Sequence, residues 1–487
     1  MRYVIRSAGF AVLAIAAAVL LAFTSTITAT ITSTLTLAVT TALIMGGTGH
    51  PLSTPPDTTD FVKQYTKMAV VNYIDPASVS SAGIPGPVTN KVAVITPEQF
   101  RFDTGFKDMK FDDSVAAGQK NLHNCVTGTA CDYNGDIGSA APDPNDSFVV
   151  FGYSQSAVVA TMEKRALAAQ YPAGTGPEVS FVLIANPNRP NGGILERFKG
   201  VYVPVLGVTG SGATPTDTQY QTVDISRQYD GWSDFPTNPL NVVADLNAGM
   251  GILYLHGGYG SVGMGDAIIQ DQYGDTTYYL IPTRTLPLLI PVAQVPVVGP
   301  VLADTLDPVT RVLVEAGYNR TVSPGTPTKA QFTYFPNPVA LGTNLAVAVP
   351  TGVDNGVADL TGTRPLGTQR PGPDGVGGPD VTLSPTTNEQ PAASPPVSAA
   401  VSASPTTDEA QQPTAKPKLS ALNPIGRGPR LSAAVTRPAP PKLTKPVAPR
   451  PLRDLASALT KPLKPAKATA GDGRGASSDS GSASSGY

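Results

Sequence analysis

The sequence is poor in the side chains from which most reactive sites are built. Its 487 residues include two cysteines, three histidines and one tryptophan. Structural zinc takes four Cys or His ligands at close spacing. Cys125, Cys131 and His123 have no second cluster to complete such a set, so no metal or other cofactor is expected. Charge is scarce too. Only 14% of residues are charged and the formal net charge is −2, which leaves no basic footprint for nucleic acid. The glycines at 46–49 lack the Lys-Ser/Thr ending of a phosphate-binding loop. Long apolar runs are also short. Ala8 to Phe23 is 16 residues without a polar side chain, under the ~20 that span a bilayer, although the Thr-rich stretch after it could extend it. Finally, aromatics vanish from about residue 355 until Tyr487.

What is present is organised around Gly152-Tyr153-Ser154-Gln155-Ser156. Ser147 to Phe151, β-branched and aromatic, reads as a buried strand, and Ala157 to Ala169 reads as a helix of good formers. A strand, a tight Gly-x-Ser-x-small turn and a helix make a nucleophile elbow, in which the serine oxygen stands clear of the sheet. The pattern alone is weak, since five small polar residues can simply join a strand to a helix, and Ser156 departs from its usual last glycine. The flanks favour the elbow.

Upstream, Thr34 to Met45 reads as a first strand ending in Gly46-Gly47-Thr48-Gly49, where an α/β-hydrolase carries the loop that supplies one oxyanion-hole donor. Thr58 to Tyr73 is expected as a helix capped by Asp57, Lys91 to Ile95 as a strand, and Asp113 to Leu122 as a helix. Further strands are expected at Glu178 to Ile184, Val201 to Val208 and Gln221 to Tyr229. Strands alternating with helices imply a largely parallel, covered sheet, with active residues beyond the carboxyl ends of its strands.

A serine nucleophile needs a base that titrates near neutrality, which points to histidine. His256, flanked by Gly257 and Gly258, follows the elbow; His50 and His123 precede it. The order Ser, Asp, His is that of this fold. Asp230 holds the strand-end position for the acid, Asp234 is the alternative acid, and Asp245 reads as a helix cap. The oxyanion donors would be Gln155 and the Gly47-Thr48 loop.

Cys125 and Cys131 suit a small disulfide-closed loop or a pair of free thiols. The disulfide requires export from the cytosol, for which Arg2 and Arg6 before the apolar run argue, as a signal peptide or uncleaved anchor. Ile281 to Val301 is apolar and proline-rich, and Leu302 to Gly317 is an amphipathic helix that could cap the site, line an acyl channel, lie on a membrane or simply pack. The Pro/Ala/Ser/Thr-rich remainder cannot bury enough apolar surface to fold. Its Lys416 to Lys467 stretch is basic, either a passive spacer or a contact to anionic envelope polymers or lipids. The expected organisation is a signal or anchor at 1–33, an α/β-hydrolase domain at 34–345 and a disordered tail at 346–487.

Gly46-Gly47-Thr48-Gly49, the elbow, Asn186 to Gly193, Gln228 to Pro236, Tyr254-Leu255-His256 and the run from Leu286 to Tyr318 together resemble the PE-PPE domain of mycobacterial proteins. The resemblance implies a serine α/β-hydrolase related to cutinases and lipases. Its nucleophile would fall on Ser154, its acid on Asp230 and its base on His256. Members are esterases on acyl esters, and some relatives with an anchoring N-terminus are acyltransferases that build envelope glycolipids. A signal or anchor in place of a PE or PPE helical module is similar to the anchored, cutinase-like group. The expected function is an exported serine esterase or lipase of the cell envelope, acting on an acyl ester or glycolipid. The alternatives are an acyltransferase between envelope glycolipids and a non-catalytic envelope-binding protein.

Overall fold

The structure is a computed structural model that describes residues 39–369, Phe102 excepted. At its centre are short strands with no solvent-facing side. β1 (Thr40–Ile44), β3 (Ser147–Tyr153), β4 (Val179–Ile184) and β5 (Thr222–Arg227) are buried almost throughout. Strands that read as continuous apolar runs are covered on both sides, which is the signature of a parallel sheet. With β2 (Asn90–Ala93), β6 (Ile268–Tyr273) and β7 (Thr276–Ile281) they form one seven-stranded sheet in the order β2-β1-β3-β4-β5-β7-β6. Every pairing is parallel except the β6–β7 hairpin.

Alternate residues along each strand supply the two faces. Ile44, Val149, Phe151, Val182 and Ile184 pack with Val62 and Ala69 of α1 (Thr59–Ala69), which runs through a π-helical turn into α2 (Asp75–Ser80). Leu43, Phe148, Val150, Phe181 and Leu183 pack with Val115 and Leu122 of α3 (Phe111–Val126) and Val158 and Leu167 of α4 (Gln155–Gln170). This sandwich of helix, mainly parallel sheet and helix is the expected α/β-hydrolase fold.

A third apolar cluster lies under the C-terminal helices. Ala244 of α5 (Val242–Tyr254) joins Tyr229, Leu286, Ala303 and Val314, the last two on α6 (Val298–Glu315). α7 (Pro338–Thr361) lies against α6 through glycines. A Cβ at Gly352 would sit 2.3 Å from the Thr305 carbonyl oxygen, and one at Gly356 2.1 Å from the Thr305 hydroxyl. Among the described residues, no helix is long and apolar enough to cross a membrane.

Several expectations need correction. The cap of α1 is Thr58, whose hydroxyl accepts from the Phe61 N–H. Asp57 instead accepts from the Leu52 N–H and pairs with His50. Val201 to Val208 forms only the two-residue strands Tyr202–Val203 and Val208–Thr209, in a separate, largely exposed hairpin. The β6–β7 hairpin was not expected, because its outer strand is only partly buried and carries no clean alternation. Helix α7 crosses the expected boundary at 345, so residues 346–361 are helical rather than tail. The signal or anchor at 1–33 and the tail from 370 onward, with its basic stretch, lie outside the described residues.

Candidate active site

Ser154 follows directly on β3 and caps α4. Its φ of 57° and ψ of −114° are a strained combination for a residue with a Cβ. Two small residues hold it there. A Cβ on Gly152 would lie 2.7 Å from the Ser156 carbonyl oxygen and 2.8 Å from the Ala157 Cα. Ser156 closes the turn, accepting from the Tyr153 N–H at 2.9 Å through its Oγ and donating to the Tyr153 carbonyl at 3.1 Å. The serine in place of the usual glycine is therefore a working part of the elbow. Positive φ recurs at the ends of the next two strands, at Ala185 after β4 and Tyr229 after β5.

Tyr229 turns the chain so that Asp230 points back at the elbow. His256 opens a 3-10 turn just after α5. Its Nε2 lies 2.7 Å from the Ser154 Oγ, and its Nδ1 lies 2.9 Å and 3.0 Å from the two Asp230 oxygens. Asp230 is fully buried. Burial would raise its pKa, but the facing His256 and hydrogen bonds from the Trp232 N–H and the Tyr259 hydroxyl outweigh burial and hold it below the usual carboxylate value. A buried carboxylate kept ionised beside Nδ1 leaves Nε2 free to take a proton from the serine oxygen.

Asp234, the alternative acid, faces away. It receives two hydrogen bonds from Arg320, at 2.6 Å and 3.0 Å, and one from the Tyr229 N–H at 2.8 Å. Asp245 does not cap its helix either; Asn241 does, accepting from the Ala244 N–H. His50 pairs with Asp57 and His123 with Glu163, both away from Ser154. Cys125 and Cys131 are joined in a disulfide.

The glycine loop lies beside the elbow. The Thr48 hydroxyl donates to the Gln155 side-chain oxygen at 2.8 Å, and the Gly47 Cα faces the Tyr153 ring. The Gln155 side-chain nitrogen donates to the Gln99 carbonyl and the Ser114 hydroxyl. The Gln155 backbone N–H, in the first turn of α4, has no intrahelical partner, and the positive end of that helix favours negative charge at Ser154.

Sequence reasoning missed the groups that hold His256 and Asp230. The Tyr153 hydroxyl donates to the His256 carbonyl, and its ring stacks on the imidazole at 5.7 Å. The Tyr259 hydroxyl donates to Asp230 at 2.9 Å and accepts from the Arg227 N–H at 2.8 Å. Both tyrosines lie within the motifs that carry serine and histidine, so position was a signal that was available, but the hydrogen bonds were not.

Fold and elbow define the class: an α/β-hydrolase domain with serine, aspartate and histidine in that chain order. Residues 87–319 match the PE-PPE domain. PE family protein PE3 of Mycobacterium tuberculosis is 39% identical over 64% of this chain and 62% of its own length. Esterase PE16 of the same organism is 38% identical over 63% and 54%. Its diacyltrehalose acyltransferase Chp2 is 27% identical over 40% and 58%. The chain thus spans between about half and three fifths of each of these relatives.

Proposed function

We propose that this protein is a serine esterase or lipase that works through an acyl-enzyme on Ser154. The observation that carries the proposal is the continuous relay from the Ser154 Oγ through His256 to Asp230. Ser154 attacks the ester carbonyl while His256 Nε2 takes its proton, then returns that proton to the leaving alcohol. Asp230 fixes the tautomer and balances the imidazolium. The oxyanion is met by the Gln155 N–H and one from the Gly47-Thr48 loop. Water, activated by His256, then releases the acid.

Resolution of the acyl-enzyme by a sugar hydroxyl is the second reading, favoured by the likeness to an acyltransferase. We also place the protein outside the cytosol, at the cell envelope, a reading supported by the Cys125–Cys131 disulfide. A fluorophosphonate probe tests the mechanism. Wild type should be labelled and Ser154→Ala should not; equal labelling removes Ser154 as nucleophile. Product analysis with a glycolipid acceptor separates the two readings, since transesterified product appears only from a transferase.

A further inference from the structure

Ser154 stands between two flanks of the sheet. The strand order β2-β1-β3-β4-β5 puts the glycine loop after β1 and the segment after β2 on one side of the elbow. Asp230, after β5, comes from the other side. The relay draws its acid from the β5 side. The β2 side carries a carboxylate of its own, Asp103, which the relay does not use.

A turn from Glu98 to Thr104 holds Asp103 beside the site. The Glu98 carbonyl accepts from the Gly49 N–H at 2.7 Å, and the Gln99 carbonyl accepts from the Gln155 side-chain nitrogen at 3.0 Å. The turn is thus fastened to both the glycine loop and the elbow. Phe100 closes it. Its carbonyl accepts from the Asp103 and Thr104 N–H groups at 2.7 Å and 2.8 Å, and its own N–H donates to the Thr104 hydroxyl at 3.1 Å. Its ring packs edge-on against Phe111 at 5.5 Å. Thr104 lies against the glycine loop, since a Cβ on Gly49 would sit 3.9 Å from its Cγ2. Residues before and after Asp103 therefore touch the loop or the elbow, and its carboxyl comes within reach of the His256 charge.

Asp103 is half-buried, and among the described residues no lysine or arginine pairs with it. Its charge is therefore felt in the space around His256. Burial pushes its carboxyl above the usual carboxylate value, and the His256 charge pulls it part of the way back. Asp230 already holds Nδ1, and the Ser154 Oγ lies against Nε2. Asp103 has no ring nitrogen left to bond and acts through space. An ester carbonyl at Ser154 comes between the flank that carries Asp103 and the flank that carries Asp230. A negative charge on that ester would meet Asp103 across a partly buried gap, where water and salt screen weakly. A neutral ester would meet no such barrier.

We propose that Asp103 is a specificity-determining residue, which turns away esters with a negative charge near the scissile bond and so confines the site to neutral or cationic ones. The proposal rests on the esterase reading for the reaction, but charge selection can also be read from binding.

The test compares kcat/KM of the full chain, at neutral pH and low salt, for two butanoyl esters that differ by one charge: 3-butanoyloxy-4-nitrobenzoate and its neutral carboxamide. Wild type should favour the carboxamide. Asp103→Asn should raise the anionic-to-neutral ratio roughly threefold to tenfold, Asp103→Lys should raise it further, and Asp103→Glu should keep the wild-type ratio. High salt should shrink the gap between wild type and Asp103→Asn. A purely structural aspartate would lower both esters together and leave their ratio alone. A ratio unchanged in both Asp103→Asn and Asp103→Lys, or a wild type that favours the anionic ester, overturns the proposal. Calorimetric titration with the two phenol products, which needs no chemistry, should show the same preference. Wild type that turns over neither ester but binds the carboxamide product better, with that preference lost in Asp103→Asn, sinks the esterase reading alone. Turnover of both esters in a ratio indifferent to residue 103 sinks this proposal alone. Neither turnover nor preference sinks both.

Discussion

Asp230 and Asp234 are four residues apart and both buried, yet they face opposite regions of the molecule. Asp230 looks toward the elbow, where it meets one histidine whose other nitrogen is left to the serine. Asp234 looks toward the C-terminal helices, where Arg320 grips both of its oxygens and also Glu315. On the first side the charge is held so that a proton can move next to it. On the second, the carboxylate is matched by a guanidinium that has no neutral form to pass a proton through. What separates a candidate catalytic carboxylate from a structural one here is the partner and its spare capacity, since burial is common to both.

The comparison breaks most visibly at the elbow side. Ser154→Ala should abolish ester turnover, a loss on the order of 10⁴-fold or more. Asp230→Asn should cost about 10³–10⁴-fold in kcat by losing the tautomer and the imidazolium partner, with little effect on the melting temperature. Asp234→Asn should reverse that pattern. Turnover would stay within a few-fold, while stability falls by about 2–3 kcal/mol as Arg320 keeps only Glu315. Chemical denaturation beside ester kinetics on the same preparations checks both. If Asp234→Asn alone abolished turnover, the assignment of the acid would be wrong.

Glu98 sharpens the contrast from a third position. Like Asp230 it is buried, but without a cation its pKa goes up, to about 8, rather than down. The native state therefore keeps a proton that the unfolded state gives up at its ordinary value near 4.5. Stability should fall as pH rises between those two values and level off above the higher one. Glu98→Gln removes this pH dependence. From about pH 5 to about pH 8, wild type should lose about 3–4 kcal/mol relative to the variant. Parallel pH profiles of denaturation midpoint for the two proteins would refute the shift.

Much of this was legible in the sequence, for stated reasons. β3 and β4 are buried on both faces and read as nearly unbroken apolar runs, and the elbow follows β3, the longest of the central strands. With only three histidines, chain order left His256 as the candidate base. In the sequence only the strand-end position ranks Asp230 ahead of Asp234, because Arg320 lies 86 residues downstream of Asp234 and no local pattern connects them. Helix α7 was hidden by its own composition. Pro350 and its glycines read as tail, whereas in the fold Gly352 and Gly356 are the contact surface against α6. The β6–β7 hairpin was missed for a related reason, since pairing rather than pattern makes its outer strand.

The smallest expected effect concerns Tyr259, whose hydroxyl binds Asp230 Oδ2, the oxygen that also lies 2.9 Å from His256 Nδ1. Tyr259→Phe deletes one donor to the carboxylate and leaves the ring in place. With one donor fewer, the Asp230 carboxyl is held less far below its usual value and takes up a proton at higher pH. Turnover at neutral pH should fall about threefold to tenfold, and the acid limb of kcat/KM should move up by roughly a few tenths of a unit. A purely structural tyrosine would lower stability and leave that limb where it was. The full kcat/KM profile of Tyr259→Phe against wild type therefore decides whether the elbow side extends beyond its three reacting groups to the residue that tunes the acid.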